Sequence, residues 1–168
     1  YIMAKPNDGV AGRGIEKICV KDYNTPNDLY NYLIKKKLNL VEECIQQHPK
    51  MNMLNPSSVN TIRVITVSFQ GNTEIIAAVL RIGIGNYVDN FSAGGIAAPI
   101  NIMTGEVYRS AVSKKNSLTY EYHPKTKCKI NGFKIPYWDE VVNMVEKTSK
   151  VISNVRTIGW DIAITQNG

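Results

Sequence analysis

Histidine and cysteine are scarce in this 168-residue chain, and their positions exclude several chemistries at once. The 2 histidines, His48 and His123, are each followed by proline, which gives poor support to a hydrolytic triad or a histidine metal site. The 3 cysteines, Cys19, Cys44 and Cys128, form no close pair, so a disulfide framework and a zinc spacing are both missing and a reducing compartment is expected. No apolar run approaches the roughly 20 residues of a membrane span, and no segment has the basic, apolar, small-residue order of a signal peptide. The expectation is a soluble, cytoplasmic chain.

What is present fits one globular domain's worth of sequence, with 43% hydrophobic and 20% charged residues. The formal net charge is +6, from 20 Lys+Arg against 14 Asp+Glu. The basic residues are scattered, and the densest runs, 35–37 and 125–134, lack the interleaved aromatics of a single-strand binder. Solvated charge accounts for them, and no nucleic-acid partner is expected. A protein that handles nucleotides or acidic substrates has the same balance.

Residues 1–4 read as a strand running into Lys5-Pro6-Asn7-Asp8-Gly9-Val10-Ala11-Gly12-Arg13-Gly14, where glycines and a proline forbid regular structure. A second strand follows at 15–20. Thr25-Pro26-Asn27-Asp28 carries the signature of a helix start, and Leu29, Leu33 and Ile34 continue one face to about residue 37. Residues 40–45 read as a strand, and 46–58 as a polar, Met-containing connection. Residues 61–69 and 73–84 are Ile- and Val-rich strands separated by Gln70-Gly71-Asn72, which predicts an antiparallel hairpin. Shorter strands are expected at 96–102 and 106–112, then a polar, basic surface excursion over 113–136. Trp138, Val141, Val142, Val145 and Ile152 recur at helical spacing over 137–153, and a final strand spans 158–165. Helices and largely antiparallel strands together predict an α+β class.

Several groups could carry chemistry. Gly9, Gly12 and Gly14 after a strand resemble a phosphate cradle, because residues without a Cβ let backbone N–H groups close around an anion. A plain glycine turn has equal claim, and the pattern is neither a Walker loop nor a dinucleotide fingerprint. Lys5, at the end of an apolar strand, can bind phosphate as a point charge or snorkel to water. Arg63 and Arg81 sit in strands apolar enough to require an anionic partner, either a ligand or a structural acid such as Glu42, Glu43 or Glu74. A three-residue hairpin loop would let the two arginines face each other, whereas a two-residue loop would put them on opposite faces, and the sequence leaves this register open. Asp161 lies mid-strand, where a carboxylate needs a metal or an arginine. Asp89 and Asn90, before Gly94 and Gly95, can contact a ligand or make turns.

Taken in order, Lys5-Pro6, the loop through Gly14, Leu40-Val41-Glu42-Glu43, Asn60-Thr61-Ile62-Arg63-Val64, Leu80-Arg81, Val88-Asp89-Asn90-Phe91, Gly94-Gly95 and Gly159-Trp160-Asp161-Ile162-Ala163-Ile164-Thr165 resemble an ATP-grasp domain over nearly the whole chain. Within that superfamily the chain is similar to the sugar-transfer-associated branch, related to the ATP-grasp glutamate ligases. The resemblance implies two α+β subdomains clamping ATP, with residues 1–45 supplying the lysine strand, glycine loop and hinge, and 46–168 the larger catalytic part. It places Lys5 on the phosphates, the Gly9, Gly12 and Gly14 loop above them as a flap, and Val41, Glu42, Glu43 and Cys44 beside the adenine. Arg63 and Arg81 would stabilise phosphoryl transfer, Asp89, Asn90, Gly94 and Gly95 would form a substrate or phosphate loop, and Asp161 would bind Mg2+. The implied reaction is ATP-dependent ligation of a carboxylate to an amine through an acyl phosphate, in cell-surface polysaccharide or sugar-transfer pathways.

The family follows its Asp161-type strand with a Glu-x-Asn strand and precedes the domain with a substrate-binding subdomain. Neither is in these 168 residues, so a fragment with impaired catalysis is expected. The alternative reading is a nucleotide-binding module without ligase activity.

Overall fold

The computed structural model describes residues 1–8, 14–85, 89–115, 117–152 and 154–168. These form two compact units, Tyr1–Ile45 and Gln46–Gly168.

In the first unit β1 (Ile2–Lys5) is the central strand, with β2 (Glu16–Ile18) and β3 (Leu40–Glu43) antiparallel on its two sides. Helix α1 (Pro26–Lys35) begins as its sequence requires: Thr25 Oγ1 accepts from the Asp28 N–H at 3.2 Å, and the Asp28 carboxylate accepts from the Thr25 N–H at 3.0 Å. A small core of Ala4, Ile18 and Leu38, backed by Leu29, Tyr32 and Leu33, fastens the helix to the sheet. Pro6 follows β1 and Gly14, at φ 75°, precedes β2. Gly9 and Gly12 lie outside the described residues.

The second unit is a six-stranded, wholly antiparallel sheet in the order β8 (Thr119–Tyr120), β7 (Ala111–Ser113), β6 (Ile96–Pro99), β5 (Asn72–Ile82), β4 (Thr61–Phe69), β9 (Thr157–Ala163). Helix α3 (Trp138–Val151) covers one face, burying Trp138, Val141 and Val145 against Ile62, Val64, Leu80 and Ile162. The expected α+β class and antiparallel pairing are thus the observed ones. No helix among the described residues is long and apolar enough to cross a membrane.

The hairpin resolves the register question in a way that loop length alone does not. Gln70 and Gly71 form a two-residue turn, both with positive φ (50° and 81°), and Phe69 pairs with Asn72. That is the turn geometry that matches strand twist. Simple alternation would then put Arg63 and Arg81 on opposite faces. Further along, however, Thr66 pairs with Ile75 and Ile65 with Ala77, leaving Ile76 as an extra residue in β5. This bulge reverses the alternation beyond it and returns Arg81 to the face that carries Arg63.

Three expectations are corrected. The connection over 46–58 contains helix α2 (Pro49–Leu54), started by Pro49 and by His48 Nδ1, which accepts from the Lys50 N–H at 3.1 Å. Its Met51 and Leu54, three residues apart, are fully buried, so the methionine is a core anchor and no part of a polar loop. The strands expected at 96–102 and 106–112 are shorter, because Asn101 Oδ1 accepts from the Met103 and Thr104 N–H groups and turns the chain. Only isolated bridges, such as Ile100 to Val107, continue the ladder there. The excursion over 113–136 is not a surface feature throughout: it contributes β8 and buries His123, Ile130, Phe133 and Ile135.

His123 pins that segment. Its Nδ1 accepts from the Thr126 N–H at 3.1 Å, so the proton sits on Nε2, which donates to the Gly83 carbonyl at 2.9 Å. Burial pushes its pKa below the usual 6.5, and Lys125 and Lys127 push the same way against the Gly83 bond. The unfolded imidazole takes up its proton first as pH falls. The stability that His123 confers is therefore complete above about pH 6.5 and declines below it.

Leu54→Ala is expected to destabilise the second unit by about 2–5 kcal/mol in urea unfolding, since it opens a cavity in a fully packed site. Between about pH 7.5 and 5.5 the wild-type urea midpoint should fall more steeply than that of His123→Gln; equal slopes would contradict the neutral, buried imidazole.

Candidate functional site

Arg63, on β4, stands opposite Asp161, on β9, in the strand register. Its Nε and Nη2 grip the two carboxylate oxygens at 2.6 and 2.7 Å, a bidentate fork. Arg81 Nη1 donates to the same carboxylate at 2.9 Å from β5. The required anion is therefore Asp161, and none of Glu42, Glu43 or Glu74 pairs with either arginine. Arg81 is the deepest of the three, with its side chain 15% exposed against 41% for Arg63 and 48% for Asp161. Its Nη2 lies 3.8 Å from the Asp89 carboxylate, and its Nε is buried without a hydrogen-bond partner. All three side chains stand on the sheet face turned away from the α3 core. Arg63 and Asp161 are both partly open to solvent, while Arg81 joins them from the buried side.

Two glycine-related features make room for this cluster. A Cβ at Gly159, two residues before Asp161 on the same face, would stand 3.1 Å from Arg63 Nη1. At Gly95 a Cβ would collide with the Asp89 carbonyl. The loop that Gly95 closes is folded upon itself. The Asp89 carboxylate accepts from the Thr61 N–H at 2.8 Å and from the Thr61 hydroxyl. Asn90 Oδ1 accepts from the Ser92 N–H at 2.9 Å and starts the tight turn Phe91–Ala93, after which Gly94 adopts φ 103° and the Gly95 N–H returns to the Asn90 carbonyl at 3.0 Å. Turn-making is visible at Asn90, whereas Asp89 ties the loop to Thr61 on β4.

Beside the arginines is a cavity of about 550 Å³. Arg63, Arg81, Asn90 and Ser92 give it its polar wall. Val79, Ala97, Pro99, Val112 and Phe91 make the rest apolar. Sequence reasoning gives none of these apolar residues a role, although the signal exists: Val79, Ala97 and Pro99 are the alternate, outward positions of β5 and β6. Phe91, Asn60, Thr61 and Gly159 fall within the motifs of the resemblance without a role of their own. Buried Asn60 fixes the start of β4, donating from Nδ2 to the Met51 and Asn55 carbonyls at 3.0 and 2.9 Å.

In the first unit Lys5 ends β1 and its ammonium holds the Glu42 carboxylate at 2.8 Å. Val41, Glu42 and Glu43 are all exposed on β3, an edge strand of its sheet, and half-buried Cys44 follows it. An edge strand leaves backbone N–H and C=O groups on one side without ladder partners.

Among the described residues no group of three or more His, Cys, Asp or Glu side chains could hold a metal ion. Asp161 fits magnesium as a single hard-oxygen ligand, half exposed and chemically suited, because this ion is commonly bound by one or two carboxylates with phosphates and waters completing its shell.

No curated protein and no solved structure matches the chain. The family described as sugar-transfer associated ATP-grasp matches it over residues 2–168. Membership of that family supports ATP binding and an ATP-dependent, ligase-type role in sugar transfer. Covering the Lys5 strand, the Arg63 and Arg81 hairpin and the Asp161 strand in one continuous match, it identifies this chain as a member of the sugar-transfer associated ATP-grasp family.

Proposed function

We propose that this chain carries the nucleotide and phosphoryl-transfer machinery of a cytoplasmic, ATP- and Mg-dependent carboxylate–amine ligase serving cell-surface polysaccharide or sugar-transfer pathways. The observation that supports it most is the convergence of Arg63, Arg81 and Asp161 from three adjacent strands onto one sheet face. In this reading a substrate carboxylate oxygen attacks the terminal phosphorus of ATP, the bond to the bridging oxygen breaks and ADP leaves. An amine then attacks the acyl carbon and releases inorganic phosphate. Both steps are governed by positioning and by charge stabilisation, which agrees with the scarcity of histidine.

Arg63 and Arg81 would hold the equatorial phosphate oxygens as negative charge moves through the transfer. Lys5 would exchange Glu42 for phosphate, as a point charge. The Gly9, Gly12 and Gly14 segment would cover the phosphates with backbone N–H groups. Val41, Glu42, Glu43 and Cys44 would meet the adenine along the β3 edge, and Asp89, Asn90, Gly94 and Gly95 would shape the loop next to the substrate. Asp161 would give up the arginines to Mg2+, whose charge, when bound, offsets that of the phosphate oxygens.

Calorimetric titration of Mg-ATP tests the reading. The wild-type chain should bind saturably, and Lys5→Ala should bind about tenfold or more weakly, the range expected for losing a charge-assisted contact. Absence of binding by a folded chain, or equal affinity in the variant, would contradict it. Binding without ATP turnover across candidate acids, in a form of the protein that also carries the Glu-x-Asn strand, would favour a nucleotide-binding module instead.

A further inference from the structure

Antiparallel sheets with one face on a core ordinarily present polar side chains on the other. In the second unit the face away from α3 departs from this rule at Val79, Ala97, Pro99 and Val112, which come from β5, β6 and β7. These residues wall the cavity next to the arginines, and its volume of about 550 Å³ lies within the ordinary range for small-molecule sites. Among the described residues the only charged ones lining it are Arg63 and Arg81, which puts positive charge at one end. The only other polar side chains lining it among the described residues are Asn90 and Ser92, and Asn90 Oδ1 is already bonded to the Ser92 N–H.

We propose that the acid this site takes is a monocarboxylate with an apolar body, its carboxylate at the Arg63 and Arg81 end and its aliphatic or aromatic part against Val79, Ala97, Pro99 and Val112. The assignment rests on the ligase reading for the acid's role in the reaction, but its recognition chemistry is independent of it. A sugar acid would carry several hydroxyls into a cavity that offers two polar side chains beyond the arginines, and each hydroxyl left without a partner opposes binding. An amino acid would bring an ammonium group towards two guanidiniums whose neighbouring carboxylates, Asp161 and Asp89, are already engaged by Arg63, Arg81 and Thr61. An aliphatic chain removes apolar wall from water and meets neither penalty.

The test titrates acetate, butyrate, hexanoate and octanoate into the chain by calorimetry, beside glucuronate, glutamate and the neutral octanamide. Affinity should rise about two- to fourfold per added methylene. Glucuronate and glutamate should bind no tighter than acetate, and octanamide at least tenfold more weakly than octanoate. Ala97→Leu, which fills the cavity, should weaken octanoate at least tenfold and acetate by less than twofold. Val112→Thr, a nearly isosteric change at a half-exposed position that puts a hydroxyl in place of one methyl, should flatten the methylene series even if Ala97→Leu fails to fold. A flat series in the wild type, tightest binding by glucuronate or glutamate, or equal binding of octanoate and octanamide would overturn the proposal. Mg-ATP titrated into the same protein separates the failures. Nucleotide binding with a flat acid series overturns the apolar-acid assignment and leaves the ligase reading standing. A rising acid series without nucleotide binding retains the site and removes it from ligation.

Discussion

Arg63, Arg81 and Asp161 lie on three neighbouring strands, and they can meet only if the side-chain alternation of all three is in phase. β4 and β9 are in phase by direct pairing of Arg63 with Asp161. β5 is brought into phase by one residue, Ile76, inserted between the pairs Thr66 with Ile75 and Ile65 with Ala77. Without that bulge the two-residue turn at Gln70 and Gly71 would send Arg81 into the core, where a guanidinium has no place beside Ile62 and Val64. The hairpin's short turn suits its strands, and the bulge reconciles that turn with the position of the charge.

The sheet consequently has two faces of different character. Against α3 it is a conventional core, sealed by Trp138, Val141 and Val145 and extended by α2 through Met51 and Leu54. On the other face, charge is concentrated at one point and apolar surface lies next to it. The charged cluster is partly exposed at Arg63 and Asp161. Arg81 is the exception within it, mostly buried and incompletely bonded, and so the group most in need of an anion. Asp161 is bound by the arginines, and Glu42 by Lys5. In the ligase reading proposed above, phosphates would take the place of these carboxylates.

Local signals in the sequence were sufficient wherever the chemistry was local. Thr25-Pro26-Asn27-Asp28 specified its helix start through bonds three residues apart, and the spacing of Trp138, Val141 and Val145 specified α3. The apolar strands of the hairpin announced that Arg63 and Arg81 needed an anion. Which anion was not legible, because Asp161 is 98 residues from Arg63 and its partnership depends on strand order. The bulge was not legible either, since Ile75-Ile76-Ala77 is as regular a β sequence as any in the chain. Helix α2 was missed because only two of its residues reach the core, too few for a periodicity. The buried part of 113–136 was hidden by its lysines, which point to solvent from a backbone anchored by His123, Ile130 and Phe133. The apolar outward positions of β5 and β6 were readable as hydrophobic but not as a site, because a strand's second face acquires meaning only once the core has claimed the first.

The claim on which the account depends is that the two arginines, brought to one face by the bulge, leave Asp161 for phosphate. Side-chain ¹⁵Nε–H NMR of Arg63 and Arg81 during a titration with Mg-ATP observes this directly. The account predicts that both resonances move in a single saturable transition, and that both move in Asp161→Asn before any nucleotide is added. Resonances that stay fixed while Mg-ATP saturates the protein would mean that the cluster is structural and would contradict it.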